Sequence, residues 1–159
     1  RRFEGGRFIT IYLSPRDYHR VHMPAAGRLQ ATTYCPGKLF SVNQATAEGV
    51  DGLFARNERL ACLFDGPDGH FASVMVGAMI VAGIDTVWPH RFAGHAKSPV
   101  REDFSAAAHD FAAGDEMGRF YLGSTVVLLF EPGRVEWLED LKAGDPLRMG
   151  QAIGRRLTS

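Results

Sequence analysis

The sequence of 159 residues contains only two cysteines and no long apolar run. Cys35 and Cys62 are too few for a disulfide framework and lack the C-x-x-C spacing of common metal sites, which favours a reducing compartment. The longest apolar run, residues 74–84, is too short for a membrane-spanning helix, which needs about 20 residues. Positive and negative side chains number 18 each. Without a basic excess, the protein is not expected to bind nucleic acid through the phosphate backbone.

Apolar side chains are plentiful, at 45% hydrophobic and 11% aromatic residues. This composition supports a packed core and excludes intrinsic disorder. Short runs of β-branched and aromatic residues are separated by turn residues along the chain. The pattern predicts one domain, residues 1–159, of the α+β class: β-rich, with antiparallel sheets and a few short helices. The predicted strands are 8–13, 29–34, 60–64, 71–81, 84–88, 119–122, 125–130 and 135–138.

The first candidate site follows the first predicted strand. Ser14 as N-cap and Pro15 at the first helical position predict a short helix that ends before Pro24. On this helix His19 and His22 share one face, where imidazoles suit proton transfer or metal binding. The alternative is one buried core histidine and one solvated histidine. A metal site is not expected, because the remaining histidines and the cysteines lack ligand spacing.

Other segments show weaker patterns. A helical piece is predicted at 104–112, inside a long loop at 90–113, and loops of this length tend to be functional or mobile. Residues 45–57 form either a short helix or an irregular loop. The tail from residue 150 is predicted to be loosely held.

The second candidate site is the junction between Gly123 and Ser124, just ahead of the apolar strand 125–130. Gly123 permits backbone geometries that other residues resist, and it leaves its own carbonyl unshielded. The hydroxyl of Ser124 could attack that carbonyl if a base removes its proton. Read alone, the tripeptide 123–125 is a weak signal, because most such tripeptides form only a β-bulge or the start of a strand.

Four sequence blocks follow one another along the chain: YLSPRDYHRVHMP at 12–24, FSVN at 40–43, LFARNER at 53–59 and GRFYLGST at 118–125. These blocks and their order resemble the phosphatidylserine decarboxylases, and the likeness covers most of residues 7–134. Several motifs of this length in series form a highly specific signal. Composition and periodicity alone indicate only a β-rich domain.

The resemblance implies a pyruvoyl-dependent enzyme that converts phosphatidylserine to phosphatidylethanolamine and carbon dioxide. It implies self-cleavage between Gly123 and Ser124, after which Ser124 becomes the pyruvoyl group, so that no external cofactor is expected. His22 matches the family's general base of self-cleavage, and His19 matches the histidine of the decarboxylation step. A large chain, 1–123, and a small chain, 124–159, are expected to stay associated.

Two departures from the family pattern bear on the mechanism. In the family, an Asp in an upstream Asp-Gly-Thr motif orients the self-cleavage base, and this sequence has no such motif. Asp17 belongs to a different block. The chain starts without Met, so we expect either that an N-terminal part supplies the Asp or that the base lacks this orientation. The block AGDE at 113–116 also departs, because a Lys often precedes this Gly, and we take that as minor.

Contacts with substrate and membrane are implied less directly. Arg56 and Arg59 could pair with the anionic groups of a phosphatidylserine head group, or they could form structural ion pairs. The loop 92–111 is a candidate bilayer contact through Phe104 and Phe111, although such side chains are more often buried. The resemblance implies peripheral attachment to a bacterial cytoplasmic membrane on its cytoplasmic side, with the mitochondrial inner membrane less favoured. A homodimer stays open.

Two other functions stay open as well. The chain could be a catalytically silent, uncleaved scaffold that binds lipid or a partner. It could also be a decarboxylase of a related amino acid or lipid, because the acyl-binding surface cannot be read from the sequence.

Overall fold

The computed structural model describes residues 2–78, 83–90, 96–121 and 123–157. In these ranges the chain forms twelve strands and two short helices, and every pair of adjacent strands is antiparallel. The β-rich α+β class predicted from the sequence is therefore confirmed. In chain order the elements are β1 Arg7–Leu13, β2 Arg20–His22, β3 Gly27–Cys35, α1 Gln44–Gly49, α2 Leu53–Arg56, β4 Arg59–Gly66, β5 Gly69–Val76, β6 Ile84–Thr86, β7 Val100–Asp103, β8 Asp110–Phe111, β9 Glu116–Phe120, β10 Ser124–Phe130, β11 Val135–Trp137 and β12 Gly154–Arg156.

The main sheet has the strand order β1-β10-β5-β4-β3-β7, with β8 also paired to β3. One face of this sheet packs against a smaller sheet of order β2-β9-β6. The two sheets share the larger core, in which Leu60, Phe64 and Met75 of the main sheet are fully buried together with Met117 of β9. Strand β10 lies between β1 and β5 and is therefore paired with a neighbouring strand on each of its two edges.

The opposite face of the main sheet is covered by the segment that contains α1 and α2. Val42 and Leu53 of this segment pack against Val76 in a second buried cluster. Asn57 fastens the segment: its side-chain amide donates to the carbonyls of Phe40 (2.9 Å) and Gly77 (3.0 Å), and its oxygen accepts from the Phe40 N–H (3.1 Å). The end of α2 is thereby fixed to the end of the main sheet.

The amide of Asn57 is expected to contribute strongly to stability. An Asn57→Ala protein leaves one buried and two partly buried main-chain groups without this partner, so we expect a loss of about 3 kcal/mol in the free energy of unfolding. Asn43→Ala is the matched control, because it removes only the N-cap of α1 and costs about 1 kcal/mol. Urea denaturation measures both values. Equal losses in the two variants would contradict the fastening role.

The predicted helix after β1 is wrong. The Asp17 N–H donates to the Ser14 carbonyl at 2.9 Å, and the Asp17 carboxylate accepts from the Ser14 N–H at 2.7 Å, so the segment closes a single turn. The chain then extends into β2, which pairs with β9. Ser, Pro and Asp favour a tight turn as much as a helix start, and pairing with a distant strand decides between them.

Two further predictions are corrected. Residues 104–112 contain no helix; they include β8, and Phe111 packs edge-on against Phe64 and Trp88 in the core. The tail is not loose throughout, because β12 pairs with β11. Residues 45–57, left open by the sequence, contain α2 and most of α1. Parts of the predicted strands 71–81 and 119–122 and of the loop 92–111 lie outside the described residues.

Candidate active site

Ser124 is the first residue of β10 and is only 1% exposed. Its Cα is paired with that of Leu13, the last residue of β1. Directly after Leu13 the chain leaves the main sheet. A Cβ atom at Gly123 would come within 3.1 Å of Cγ of Pro15. The ring of Pro15 therefore disfavours a larger residue at position 123. This steric restriction adds to the need for backbone freedom that the sequence indicated. Leu122, which precedes this junction in the motif, lies outside the described residues.

His19 lies in the turn between β1 and β2. Its Nδ1 is hydrogen-bonded to the main-chain carbonyl of Asp17, and a carbonyl can only accept, so Nδ1 carries the proton. Nε2 is buried and has no hydrogen-bond partner among the residues that the structure describes. The main-chain carbonyl of His19 accepts from the Phe120 N–H at 2.9 Å, four residues before Ser124. The main chain at His19 is thereby held against the strand that leads to the junction.

His22 ends β2 and is held in the same tautomer. Its Nδ1–H donates to the Gly114 carbonyl at 2.7 Å, and its Nε2 accepts from the hydroxyl of Tyr18 at 2.7 Å. The Tyr18 ring also stacks on the imidazole, with the ring centroids 5.6 Å apart. Main-chain carbonyls thus orient both imidazoles, which is the task that an Asp performs in other sites of this kind.

The shared helix face predicted for the two histidines is wrong, because His19 lies in a turn and His22 in a strand. What brings the two segments together is β9, which is joined to His19 at Phe120 and paired with His22 at Glu116. His19 is therefore at the end of β9 that leads to Ser124, and His22 is at the opposite end.

A cleft of about 1670 Å³ connects His22 with the strands around the junction. Leu13 and Val126, which flank Ser124 on β1 and β10, line it together with Tyr18. It continues along β1 toward the C-terminal segment 144–156. The cleft thus joins an imidazole to a largely apolar surface.

Arg56 and Arg59 are both held locally. Arg56 lies over the ring of Phe40, 5.1 Å from its centroid, and Nη1 of Arg59 donates to the carbonyls of Ala55 (2.6 Å) and Asn57 (3.0 Å). Arg59 is paired with Val76, which is paired in turn with Thr125, so Arg59 projects from the face opposite to Ser124. The structure does not bring Arg59 to the face of Ser124, and the substrate-binding role of both arginines stays a prediction.

Glu58, directly before Arg59, is a candidate site residue that the sequence analysis missed. It alternates with Arg59 and therefore projects from the same face as Ser124. Its carboxylate accepts a hydrogen bond from Tyr34, which is only 2% exposed. Burial raises the pKa of Glu58, while the hydrogen bond from Tyr34 acts in the opposite direction. The only signal in the sequence is the two-residue spacing of Glu58 from Leu60, which puts both on one face of an extended chain. This face can be assigned only when the strand register is known.

Within the described ranges, no three His, Cys, Asp or Glu side chains are grouped as metal ligands. No helix in the same part of the chain is long and apolar enough to cross a membrane.

Comparison with known proteins gives consistent results. A family model described as phosphatidylserine decarboxylase matches residues 1–155. The phosphatidylserine decarboxylase proenzyme of Pseudomonas fluorescens strain Pf0-1 is 55% identical over 161 residues, which cover 96% of this chain and 54% of the relative. The proenzyme of Saccharophagus degradans is 56% identical over 157 residues, covering 98% of this chain and 55% of the relative. The chain spans about half the length of the curated relatives it matches.

Proposed function

The chain belongs to the phosphatidylserine decarboxylase family, and on this premise we propose that it is the part of a proenzyme that cleaves itself between Gly123 and Ser124. The mature protein decarboxylates phosphatidylserine to phosphatidylethanolamine and releases carbon dioxide. The observation that carries this proposal is the placement of the Gly123–Ser124 junction at the start of a buried strand, with the main chain of His19 hydrogen-bonded to Phe120, four residues before Ser124.

Self-cleavage uses groups of the chain alone. The Ser124 hydroxyl attacks the Gly123 carbonyl carbon, and the carbon–nitrogen bond between the two residues breaks to leave an ester. Elimination then releases the Gly123 carboxylate and leaves a dehydroalanine at position 124. Hydrolysis with loss of ammonia converts that residue to a terminal pyruvoyl group.

Each histidine has a role in this scheme. His22 takes the proton of the Ser124 hydroxyl at Nε2, because Nδ1 already carries a proton and is held by the Gly114 carbonyl. His19 serves the decarboxylation step, supported by its buried Nε2 lone pair and its attachment to Phe120.

The surroundings of position 124 fit a pyruvoyl group. A pyruvoyl group supplies a ketone that takes up a primary amine and draws electrons from the amine's α-carbon. Strand β10 is enclosed by β1 and β5, so the residues around position 124 exclude bulk water. Nε2 of His19 is buried without a hydrogen-bond partner among the described residues, and a bound head group can provide that partner.

The small chain that begins at position 124 is expected to stay bound after cleavage. Strand β10 is paired with β1 along all seven of its residues and with β5 along six. Val126 and Leu128 also belong to the larger core. Cutting one bond at the end of such a strand leaves these contacts intact.

Peripheral attachment to the cytoplasmic side of a bacterial membrane is part of the proposal. The lipid substrate and the apolar lining of the cleft support it. Phe104 and Phe111 are poor candidates for the bilayer contact, since both pack against the core. Exposed aromatic side chains lie near the junction instead: Tyr12 is 45% exposed, Tyr18 52% and Tyr121 63%.

Mass spectrometry of the purified full-length protein tests the proposal. We expect two chains, the smaller beginning at position 124 with a pyruvoyl-blocked terminus. Carbon dioxide should then be released from phosphatidylserine and not from free serine. A single intact chain would support the uncleaved scaffold instead.

A further inference from the structure

The register of the main sheet places Ser124 and Glu58 in one row. Thr125 is paired with Val76, and Val76 with Arg59. One residue further along, the Gly77 N–H donates to the Glu58 carbonyl at 2.9 Å. Ser124, Gly77 and Glu58 therefore cross three neighbouring strands at one level, and the outer two Cα atoms are about 9–10 Å apart, twice the usual strand spacing.

The two polar side chains of this row share a face of the sheet. Ser124 alternates with Thr125 as Glu58 alternates with Arg59, so both project toward the larger core. Gly77 between them has no side chain. Of the described atoms, the three nearest to a Cβ placed there are the Glu58 carbonyl oxygen at 3.4 Å, the Leu39 side chain at 3.6 Å and the Glu58 Cβ at 4.0 Å, all at ordinary contact distances. Gly77 thus places no side chain of its own between the hydroxyl and the carboxyl of this row.

The carboxylate of Glu58 is held and still has acceptor capacity. The buried Tyr34 hydroxyl donates to one of its lone pairs, and a carboxylate offers about four acceptor sites. The neighbouring guanidinium groups are occupied elsewhere, because Arg56 and Arg59 donate to main-chain carbonyls around α2. The partial burial of Glu58 strengthens its attraction for a cation relative to water.

We propose that Glu58, oriented by Tyr34, binds the ammonium group of the substrate head group next to position 124. The inference rests on the proposed function, since the amine must reach position 124 to react. Head groups with a primary ammonium are selected over head groups without one, because a carboxylate accepts charge-assisted hydrogen bonds from N–H donors. Glu58 is thus a substrate-binding residue that determines specificity.

Binding to an unreactive protein tests the subsite without any turnover. In a Ser124→Ala background, isothermal titration calorimetry compares glycerophosphoethanolamine, which carries an ammonium, with glycerophosphoglycerol, which carries none. We expect the ammonium head group to bind more tightly. Glu58→Gln should reduce this preference about tenfold or more, in line with hydrogen bonds to charged groups.

Three further proteins complete the comparison. Glu139→Gln removes an exposed carboxylate after β11 and should keep the preference. Glu58→Asp keeps the charge and should retain part of the preference, which separates a lost charge from a disturbed fold. Tyr34→Phe keeps the carboxylate but not its orientation and should weaken the preference only a few-fold.

The outcomes separate this inference from the proposed function. Equal preferences in the Glu58→Gln and Glu139→Gln proteins, or no ammonium preference in the Ser124→Ala background, would overturn the subsite. Either result leaves self-cleavage of the protein with its native Ser124 untouched. Failure of that protein to cleave would overturn the proposed function instead.

Discussion

A Ser124→Ala protein is expected to remain a single chain, with complete loss of the cut between residues 123 and 124. The hydroxyl is the only group that the substitution removes, and its oxygen is the proposed nucleophile. Position 124 is buried at the start of β10, where alanine fits without steric conflict. We expect the fold to persist, because the strand keeps its main-chain pairing with β1. Intact-mass measurement of the purified protein detects the difference directly.

The matched control for this experiment is Ser73→Ala. Ser73 is also fully buried, on β5 opposite Leu128, and its hydroxyl has no partner within the described residues. Its loss changes the core as much as the loss of the Ser124 hydroxyl, so the Ser73→Ala protein should cleave normally. Cleavage of the Ser124→Ala protein at the same bond would remove Ser124 from the nucleophile's role.

The strands of the main sheet were predictable because each carries a local pattern. β1, β3, β4 and β10 contain β-branched and aromatic residues in runs of ordinary strand length, and the segment 65–69 between β4 and β5 is rich in turn residues. Such patterns need no knowledge of the partner strand. The same signals also located the Gly123–Ser124 junction just ahead of an apolar strand.

The elements that were missed depend on distant partners. β2 is three residues long, and its pairing with β9 joins Arg20 to Arg119 across about a hundred residues of chain. β12 carries two arginines, and its only strand-like feature is its pairing with β11. Local residue preferences cannot report such pairings, so the histidine segment looked helical and the tail looked loose.

The candidate site was predictable in its motif residues and not in their arrangement. The order of the four blocks pointed to Ser124, His19 and His22 through family resemblance. Glu58 lay in one of the same blocks beside two arginines of more obvious chemistry. The strand register places Glu58 and Arg59 on opposite faces of the sheet, with the carboxylate on the face of Ser124. Without the register, the two side chains cannot be assigned to faces.

A His22→Ala protein is expected to stay uncleaved, whereas a His19→Ala protein is expected to cleave and to lack decarboxylase activity. The His22 ring is fixed in the tautomer that has its lone pair at Nε2. It lines the cleft that also contains Leu13, the partner of Ser124 on β1, and Thr125, the next residue on β10. Removing this base should slow cleavage by about 10²-fold or more. Time courses of chain separation measure the rate.

The two variants control for each other, because each removes one imidazole, either in β2 or directly before it. Tyr18→Phe adds a finer test: it removes the hydroxyl that donates to His22 Nε2 and keeps the stacked ring. Because that hydrogen bond occupies the Nε2 lone pair in the resting state, its removal should leave the cleavage rate unchanged or raise it. A His22→Ala protein that cleaves at the normal rate, while the His19→Ala protein stays intact, would reverse the two roles and make Nε2 of His19 the base of self-cleavage.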